Sequence, residues 1–432
     1  MIKRILYTLL IMFPVVASAQ INTDRVMAIG RNALYFEDYV LSIQYFNQVI
    51  NAKPYLSDPY FYRGLAKINL DDFQGAESDC SEAIERNPFV VSAYQVRGLA
   101  RIQQNNFAGA IEDYTKALEF DPENIGVWHN MALCRIRQED YKGAKNDLDK
   151  LIAISPRYTK AYLMRGEVDL KQKDTLAAEK DFGKAIEIDR YDADTWASRA
   201  ILRLQQQRYK DAEADFDHAI RLSTRNSGVY INRALARYHQ NNLRGAMSDY
   251  DIALDIDPNN FIGHYNRGLL RAQVGDDNRA IQDFNFVIEM EPDNMMAIFN
   301  RGLLLDQTGD YKGAIKDYST VINEYPNFLL GYQYRAQARR KIGDVKGADA
   351  DEFKVLKAQL DKQNGVDPNK QTADNTENNK TRKKSDKNMN NYRKIVVADN
   401  EEGEEKYKSD YRGRVQDKNV NITLEPMFAL TY

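Results

Sequence analysis

The residue types that could perform metal, redox or acid–base chemistry are few or unpatterned in this chain. Its four histidines include no pair with the His-x-x-x-His spacing of a helical zinc site. Its two cysteines, Cys80 and Cys134, are predicted to be buried free thiols rather than a disulfide. None of the 63 acidic residues is set apart as a catalytic pair, and no glycine-rich phosphate loop occurs. The sequence therefore predicts no enzyme, no metal and no cofactor.

One charged pattern does recur, an arginine followed sixteen residues later by an aspartate. A guanidinium can hold a carboxylate through two hydrogen bonds. The eight pairs are Arg63/Asp79, Arg97/Asp113, Arg165/Asp181, Arg199/Asp215, Arg233/Asp249, Arg267/Asp283, Arg301/Asp317 and Arg335/Asp351. A further aspartate, Asp147, follows Met131 instead of an arginine. We expect structural ion pairs, formed either within one copy of the pattern or between neighbouring copies, whose effect on stability depends on whether they are exposed or buried.

The elements that must position these residues follow from a period of 34 residues. Seven of the eleven prolines are separated by 34 residues or by three times that number: Pro54, Pro88, Pro122, Pro156, Pro258, Pro292 and Pro326. This period is the length of one helix–turn–helix repeat, with a first and a second helix. With the proline as residue 32 of each repeat, ten repeats begin at Thr23, Ser57, Val91, Ile125, Thr159, Ala193, Ser227, Phe261, Met295 and Leu329.

Small and large residues recur at fixed positions of the repeat. The eighth position is always Gly or Ala and the twentieth always Ser or Ala, as at Gly98 and Ala110. Two helices approach closely only where neither carries a large side chain, so these positions predict where the first and second helix of a repeat cross. Aromatic residues dominate the fourth and twenty-fourth positions, as at Tyr94 and Tyr114, and are expected to interdigitate with the small ones.

These positions resemble those of the tetratricopeptide repeat (TPR) family over about residues 23–362. The resemblance implies an all-α, right-handed superhelical solenoid of about ten repeats, whose first helices line a concave face that binds a protein or peptide. Cys80, Leu148 and Glu352 depart from the pattern by replacing the aromatic at the twenty-fourth position. We expect the last second helix, which carries Glu352, to be a polar cap.

An apolar stripe runs along the first helices at the fifth, ninth and twelfth positions. The ninth position is leucine or isoleucine in seven repeats: Leu65, Leu99, Leu133, Ile201, Leu235, Leu269 and Leu303. Contiguous exposed apolar surface marks a binding site, which favours a channel for a peptide. The alternative is that these side chains pack neighbouring first helices together. Of the leucines, we predict Leu235, Leu269 and Leu303 as peptide-binding residues.

Asparagine recurs at the sixth position, as Asn130, Asn232, Asn266 and Asn300. An amide side chain can donate to and accept from a peptide backbone at once. TPR proteins use an inner-face asparagine in this way, so the resemblance implies that these four residues hold a peptide. The alternative is that they are fillers of the helix surface. Leucine at the ninth position does not support the variant of this site that captures a terminal carboxylate.

Residues 1–19 have the order of segments of a secretory signal peptide. A basic start at Lys3 and Arg4 precedes an apolar run, and small residues follow before Gln20. The alternative is a buried N-terminal helix. Nothing later is apolar for long enough to cross a membrane, and a net charge of −3 predicts no nucleic-acid partner. We expect a protein exported to the bacterial periplasm, with a peripheral position at the outer membrane left open.

The sequence divides into a signal peptide (1–19), the repeat domain (20–362), a linker (363–391) and a C-terminal tail (392–432). The linker is so poor in apolar residues that we expect it to be disordered. The tail contains two runs with strand character, Tyr392–Ala398 and Asn419–Tyr432. We expect residues 419–432 to add a β-strand to a partner's sheet, to pack back on the apolar channel, or to be a frayed end.

Together these features predict a non-catalytic protein–protein interaction scaffold of the bacterial envelope, with its partner on the concave face. Two alternatives remain open. The first is an outer-membrane assembly or chaperone factor that docks a β-rich partner through its tail, and the second is a regulatory subunit of a separately encoded enzyme.

Overall fold

A computed structural model of the chain describes residues 22–222 and 225–363, and these residues form twenty helices without a strand. The helices are α1 Thr23–Tyr35, α2 Tyr39–Ala52, α3 Asp58–Ile68, α4 Phe73–Arg86, α5 Val91–Gln103, α6 Phe107–Phe120, α7 Ile125–Arg137, α8 Tyr141–Ile154, α9 Thr159–Lys171, α10 Thr175–Ile188, α11 Ala193–Gln205, α12 Tyr209–Arg221, α13 Ser227–His239, α14 Leu243–Ile256, α15 Phe261–Gln273, α16 Asp277–Met290, α17 Met295–Thr308, α18 Tyr311–Glu324, α19 Leu329–Lys341 and α20 Val345–Gln363. Odd numbers are the first helices of the ten repeats and even numbers are the second helices.

The described residues belong to two compact units, residues 22–184 and residues 185–363 without 223–224. The N-terminal unit contains α1 to α9 and most of α10, and the C-terminal unit contains the end of α10 and α11 to α20. In this part of the chain no helix is long and apolar enough to span a membrane. The predicted signal peptide, the linker beyond residue 363 and the tail lie outside the described residues.

Each first helix ends one to three residues before a residue with left-handed backbone conformation. The fifteenth residue has a φ between 59° and 93° in all ten repeats: Glu37, Asp71, Asn105, Glu139, Lys173, Gln207, Asn241, Gly275, Gly309 and Gly343. A left-handed residue stops a helix and turns the chain. The next helix begins after an Asp or Asn cap in most repeats. In repeat 4, Oδ1 of Asp140 accepts a hydrogen bond from the Gly143 amide at 3.0 Å.

The two helices of a repeat cross where the eighth position is small. In repeat 3 a Cβ on Gly98 would lie 2.8 Å from the Tyr114 ring, and in repeat 5 a Cβ on Gly166 would lie 2.5 Å from the Phe182 ring. These distances are too short for real carbon contacts, so glycine is what allows the fully buried ring to lie against the first helix. The aromatic residues at the twenty-fourth position therefore lie in the core of the seven repeats that have them.

The last helix, α20, differs from the polar cap expected of it. Its face toward α19 is buried through Asp351 and Val355, but Phe353, Leu356 and Leu360 are 66%, 53% and 48% exposed. Leu356 corresponds to Ile322 of the preceding repeat, which is 3% exposed. The difference arises because no described helix follows α20 to cover this position.

Candidate functional site

All eight arginine–aspartate pairs are in contact, and each joins the first and second helix of one repeat. The shortest nitrogen–oxygen distance in each pair lies between 2.5 and 2.8 Å. Arg233 is typical, with Nε 3.0 Å from Oδ2 and Nη2 2.6 Å from Oδ1 of Asp249. Of the two arrangements left open by the sequence, the pairs take the one within a repeat.

The aspartates of these pairs are buried, which the sequence pattern left open. All eight are between 1% and 5% exposed: Asp79, Asp113, Asp181, Asp215, Asp249, Asp283, Asp317 and Asp351. Aspartate is almost never buried unless a cation pairs with it. These carboxylates are therefore covered and the eight pairs are structural. Removal of one partner of such a pair costs far more stability than removal of one partner of an exposed pair.

Four of the buried aspartates show how the pairing is built. The carboxylate of Asp79 lies 2.5 Å from Arg63, and that of Asp215 lies 2.8 Å from Arg199. The remaining two take the same arrangement. Asp181 Oδ2 lies 2.6 Å from Nε of its arginine in repeat 5, and Asp317 Oδ1 lies 2.7 Å from Nη2 of its arginine in repeat 9. Each carboxylate accepts two hydrogen bonds from one guanidinium, as the spacing of sixteen residues predicts.

The remaining guanidinium nitrogen of these arginines often contacts the second helix of the preceding repeat. Arg233 Nη1 lies 2.7 Å from Asp217, Arg267 Nη1 lies 2.8 Å from Asp251, and Arg335 Nη1 lies 2.9 Å from the Ser319 hydroxyl. One arginine thus connects three helices, and the pairs hold neighbouring repeats together as well as the two helices of one repeat.

A second cation reaches most of the buried aspartates, and it was not predicted from the sequence. It comes from the eleventh position of the same first helix, as in Arg237 with Asp249 at 2.9 Å and Arg271 with Asp283 at 2.7 Å. The signal was available, since this position is basic in most repeats. Burial raises the pKa of Asp283, but hydrogen bonds from His264 and Arg267 outweigh it and hold the pKa below its usual value.

Repeats 4 and 5 alter this network. Met131 takes the place of the pairing arginine, and burial raises the pKa of Asp147 to about 6. At the eleventh position repeat 5 has an acid, Asp169, which Lys145 of repeat 4 contacts at 2.5 Å. The corresponding contact between repeats 2 and 3 has the opposite polarity, with Arg101 Nε 2.8 Å from Glu77. An exchange of both charges preserves the attraction between neighbouring repeats.

The two cysteines are not placed as reactive thiols. Cys80 and Cys134 are buried free thiols, and burial raises the pKa of each to about 12. Among residues 22–222 and 225–363, no group of three or more His, Cys, Asp or Glu side chains is arranged to hold a metal ion.

The four sixth-position asparagines do not form one continuous exposed row. Asn232 and Asn266 are 0% exposed and Asn300 is 5% exposed, whereas Asn130 is half-buried. The Nδ2 of Asn300 donates a hydrogen bond to the Tyr265 hydroxyl at 3.2 Å, which links the first helices of repeats 9 and 8. The expectation that Asn232 and Asn266 reach a bound peptide is therefore corrected. Both residues lie on first helices as predicted, but their side chains are fully buried.

The ninth-position leucines are placed differently from one another. Leu235 is 4% exposed and packs in the core, while Leu269 and Leu303 are half-buried. Leu269 and Leu303 line a cleft of about 450 Å³ on the first helices of the C-terminal unit. The full lining is Tyr238, Leu269, Ala272, Gln273, Phe284, Asn300, Leu303, Leu304, Asp306, Gln307 and Tyr334. Residues from four consecutive first helices, α13, α15, α17 and α19, thus meet at one surface.

Polar groups stand at the margins of this apolar cleft. The Tyr238 hydroxyl donates a hydrogen bond to Gln273 Oε1 at 2.8 Å, and Gln307 is exposed. At the other margin, Lys341 Nζ lies 3.1 Å from both carboxylate oxygens of Asp306. The sequence pattern predicted Leu269, Leu303 and Asn300 here but not the other lining residues. Most of these occupy the twelfth and thirteenth positions, on the same stripe one turn beyond the leucines.

Comparison with known proteins agrees with this architecture. Family models match residues 98–134 (TPR repeat), residues 125–158 and 159–192 (tetratricopeptide repeat), and residues 198–261 and 265–327 (tetratricopeptide repeat). No curated protein is significantly similar to the chain in sequence.

Several solved structures are similar to this chain. A tetratricopeptide repeat protein from Parabacteroides merdae is 21% identical, with 58% of this chain and 98% of that chain covered at a TM-score of 0.45. The C-terminal part of a TPR repeat-containing protein from Cytophaga hutchinsonii is 17% identical, with 55% and 97% covered at a TM-score of 0.46. YrrB, a TPR protein with an unusual peptide-binding site, is 18% identical, with 43% and 95% covered at a TM-score of 0.39.

The family matches fall on the paired helices whose period, crossing glycines and left-handed helix ends have been described. The chain therefore belongs to the tetratricopeptide repeat family.

Proposed function

We propose that this protein is a non-catalytic scaffold that binds a polypeptide partner in the cleft lined by the first helices α13, α15, α17 and α19. The observation that carries the proposal is the cleft itself, about 450 Å³ in volume and lined by side chains of four successive first helices. Its volume lies in the range of ligand sites, and it combines apolar walls with a few polar groups. An extended peptide that crosses the repeats would contact each first helix in turn.

The lining suits a peptide better than a small polar metabolite. Leu269, Leu303 and Tyr334 offer apolar surface, which favours large apolar side chains of the partner. Gln273 and Gln307 carry amides at the margin of the cleft, and an amide can both donate to and accept from a peptide backbone. Leu269 and Leu303 replace the sixth-position asparagines as the residues on which this proposal rests.

The experiment compares two double variants in the same unit. Leu269→Ser with Leu303→Ser should reduce partner capture from envelope extract about tenfold or more, because it removes the apolar contact surface. The control is Ile252→Ser with Met290→Ser. These two residues lie on the second helices α14 and α16, outside the cleft lining, and are 37% and 52% exposed. Equal capture by both double variants, at equal helical content by circular dichroism, would exclude the cleft as the binding surface.

The bacterial envelope is proposed as the site of action. Support comes from residues 1–19, whose order of basic, apolar and small residues is that of a signal peptide. Cell fractionation followed by N-terminal sequencing tests this. We expect the mature protein in the periplasm or peripheral to the outer membrane, with Gln20 as its first residue. A cytoplasmic protein that retains Met1 would contradict the proposal.

A second candidate function is supported by the tail. The alternation of apolar residues in Asn419–Tyr432 favours a strand that docks on a β-rich partner, as an outer-membrane assembly factor would require. Deletion of residues 392–432 should abolish capture under this alternative and leave it unchanged if the cleft suffices. A regulatory subunit is the third candidate, and it predicts that the captured partner is an enzyme.

A further inference from the structure

Three consecutive cations, Arg339, Arg340 and Lys341, end helix α19 beside the cleft. Cations of this kind can bind a terminal carboxylate or a phosphate through charge-assisted hydrogen bonds. The structure gives each of them an acidic partner within the chain. Arg339 Nη1 lies 2.9 Å from Asp351, and Arg340 Nη2 lies 2.6 Å from Glu352.

Lys341 is the cation of this cluster that lies against the cleft, and its partner is Asp306. Nζ of Lys341 is 3.1 Å from both carboxylate oxygens of Asp306, and it also lies 4.9 Å above the centre of the Tyr311 ring. Asp306 is a lining residue of the cleft and its side chain is only 13% exposed. A ligand carboxylate that bound Lys341 would have to displace an acid already fixed in place.

The rest of the lining carries no charge. Apart from Asp306, the cleft is bounded by aliphatic, aromatic and amide side chains. A charged ligand group would lose its hydration there without gaining an ion pair, which is unfavourable. An amide backbone with large apolar side chains meets no such cost, because the amides of Gln273 and Gln307 lie at the margin.

From these contacts we infer that the cleft takes an internal, uncharged stretch of polypeptide with large apolar side chains, and that Asp306 excludes a C-terminal carboxylate by neutralising Lys341. The inference rests on the proposed function of the same cleft. It adds the class of peptide and names the residue that sets the selectivity. Asp306 is a specificity-determining residue that acts by its charge rather than by its size.

Two fluorescein-labelled octapeptides test the inference by fluorescence anisotropy. Both carry the label at the N-terminus and alternate serine with leucine and phenylalanine, so that the apolar side chains share one side of an extended chain. One ends in a carboxamide and the other in a free carboxylate. The wild-type protein should bind the amide peptide at least as tightly as the carboxylate peptide.

The Asp306→Asn variant should reverse this preference, because it keeps the side-chain volume and leaves Lys341 without its acid. We expect the affinity for the carboxylate peptide to rise about fivefold relative to the amide peptide, the effect of one partly exposed ion pair. The control is Asp255→Asn, which removes the same charge from an exposed position on α14. It should leave the ratio of the two affinities unchanged.

The outcomes separate the inference from the function on which it rests. A wild-type preference for the carboxylate peptide, or an unchanged ratio in Asp306→Asn, would overturn the role given to Asp306 while leaving the cleft as a peptide site. Failure of the wild-type protein to bind either peptide would overturn the cleft as the binding site.

Discussion

Arg135 Nε lies 2.9 Å from Oδ2 of Asp147, yet neither atom makes a hydrogen bond within the described residues. In the other repeats with a buried aspartate at this position, a bidentate arginine from the seventh position supplies those hydrogen bonds. Met131 occupies that position in repeat 4. Asp147 is 3% exposed, and without this arginine it is incompletely paired. Burial raises its pKa to about 6. Among the nine repeats with an aspartate at this position, repeat 4 alone lacks the seventh-position arginine.

Asp147→Asn should remove a pH dependence of stability. The folded-state pKa of about 6 exceeds the unfolded value near 3.9, so the folded state binds the proton more tightly. The stabilisation from Asp147 is therefore fully present below about pH 4 and is lost as the pH rises to about 6, by about 3 kcal/mol at most. The difference between the free energies of unfolding of wild type and variant, wild type minus variant, should fall over this pH interval and stay constant above it.

Hydrogen exchange of α7 and α8 between pH 4 and pH 8 is the appropriate measurement, since a repeat array need not unfold in one step. A difference between wild type and Asp147→Asn that does not change with pH would refute the assignment.

Met131→Arg should complete the network in repeat 4. The new guanidinium would face Asp147 and lie beside Thr115, whose hydroxyl is now 4.0 Å from the Met131 sulfur. Ser81 and Ser319 accept from the corresponding arginines of repeats 3 and 10. We expect a gain of about 1 kcal/mol in the free energy of unfolding at pH 7.5, measured by thermal denaturation. As a control, Met164→Arg places the same charge at a sixth position that is 2% exposed, and it should destabilise the protein.

Arg233→Met should reproduce in repeat 7 the defect that is native to repeat 4. Asp249 is 1% exposed and would retain only Arg237 of its two cations. Removal of one partner of a buried ion pair costs about 3 kcal/mol or more. Arg279→Met is the matched control, because Arg279 is 68% exposed and lies 3.6 Å from Asp276. Its effect should stay below about 0.5 kcal/mol. Chemical denaturation of the two variants would show equal losses if burial were irrelevant.

Asn300→Ala should lower stability, because the amide joins two neighbouring first helices. The amide is 5% exposed and hydrogen-bonds Tyr265 between neighbouring first helices, so its loss should cost about 1–3 kcal/mol. Asn130→Ala, at the same repeat position but half-buried, should cost less. Thermal denaturation and capture are measured on the same samples. Reduced capture at an unchanged melting temperature would restore the asparagines as peptide-binding groups.

The helices and their crossing points were predictable because the contacts that define them lie within one repeat. Gly98 and Tyr114 are sixteen residues apart in the sequence, as are Arg233 and Asp249. The same separation recurs from repeat to repeat. Where a side chain must fit a partner at a fixed sequence separation, the same residue type recurs at that position of the repeat. The period, the register and the identity of the ion pairs can therefore be read directly from the sequence.

The binding surface depended on tertiary structure, because burial is decided by the helix of the next repeat. Asn266 and Leu269 lie three residues apart on one helix face, yet Asn266 is fully buried and Leu269 is only half-buried. The partner of Lys341 is likewise not visible in the sequence, because packing of α19 against α17 places it against Asp306, 35 residues away. The sequence by itself determined which helices form and how the two helices of each repeat pack. Tertiary structure alone decided which of their polar groups remain available to a partner.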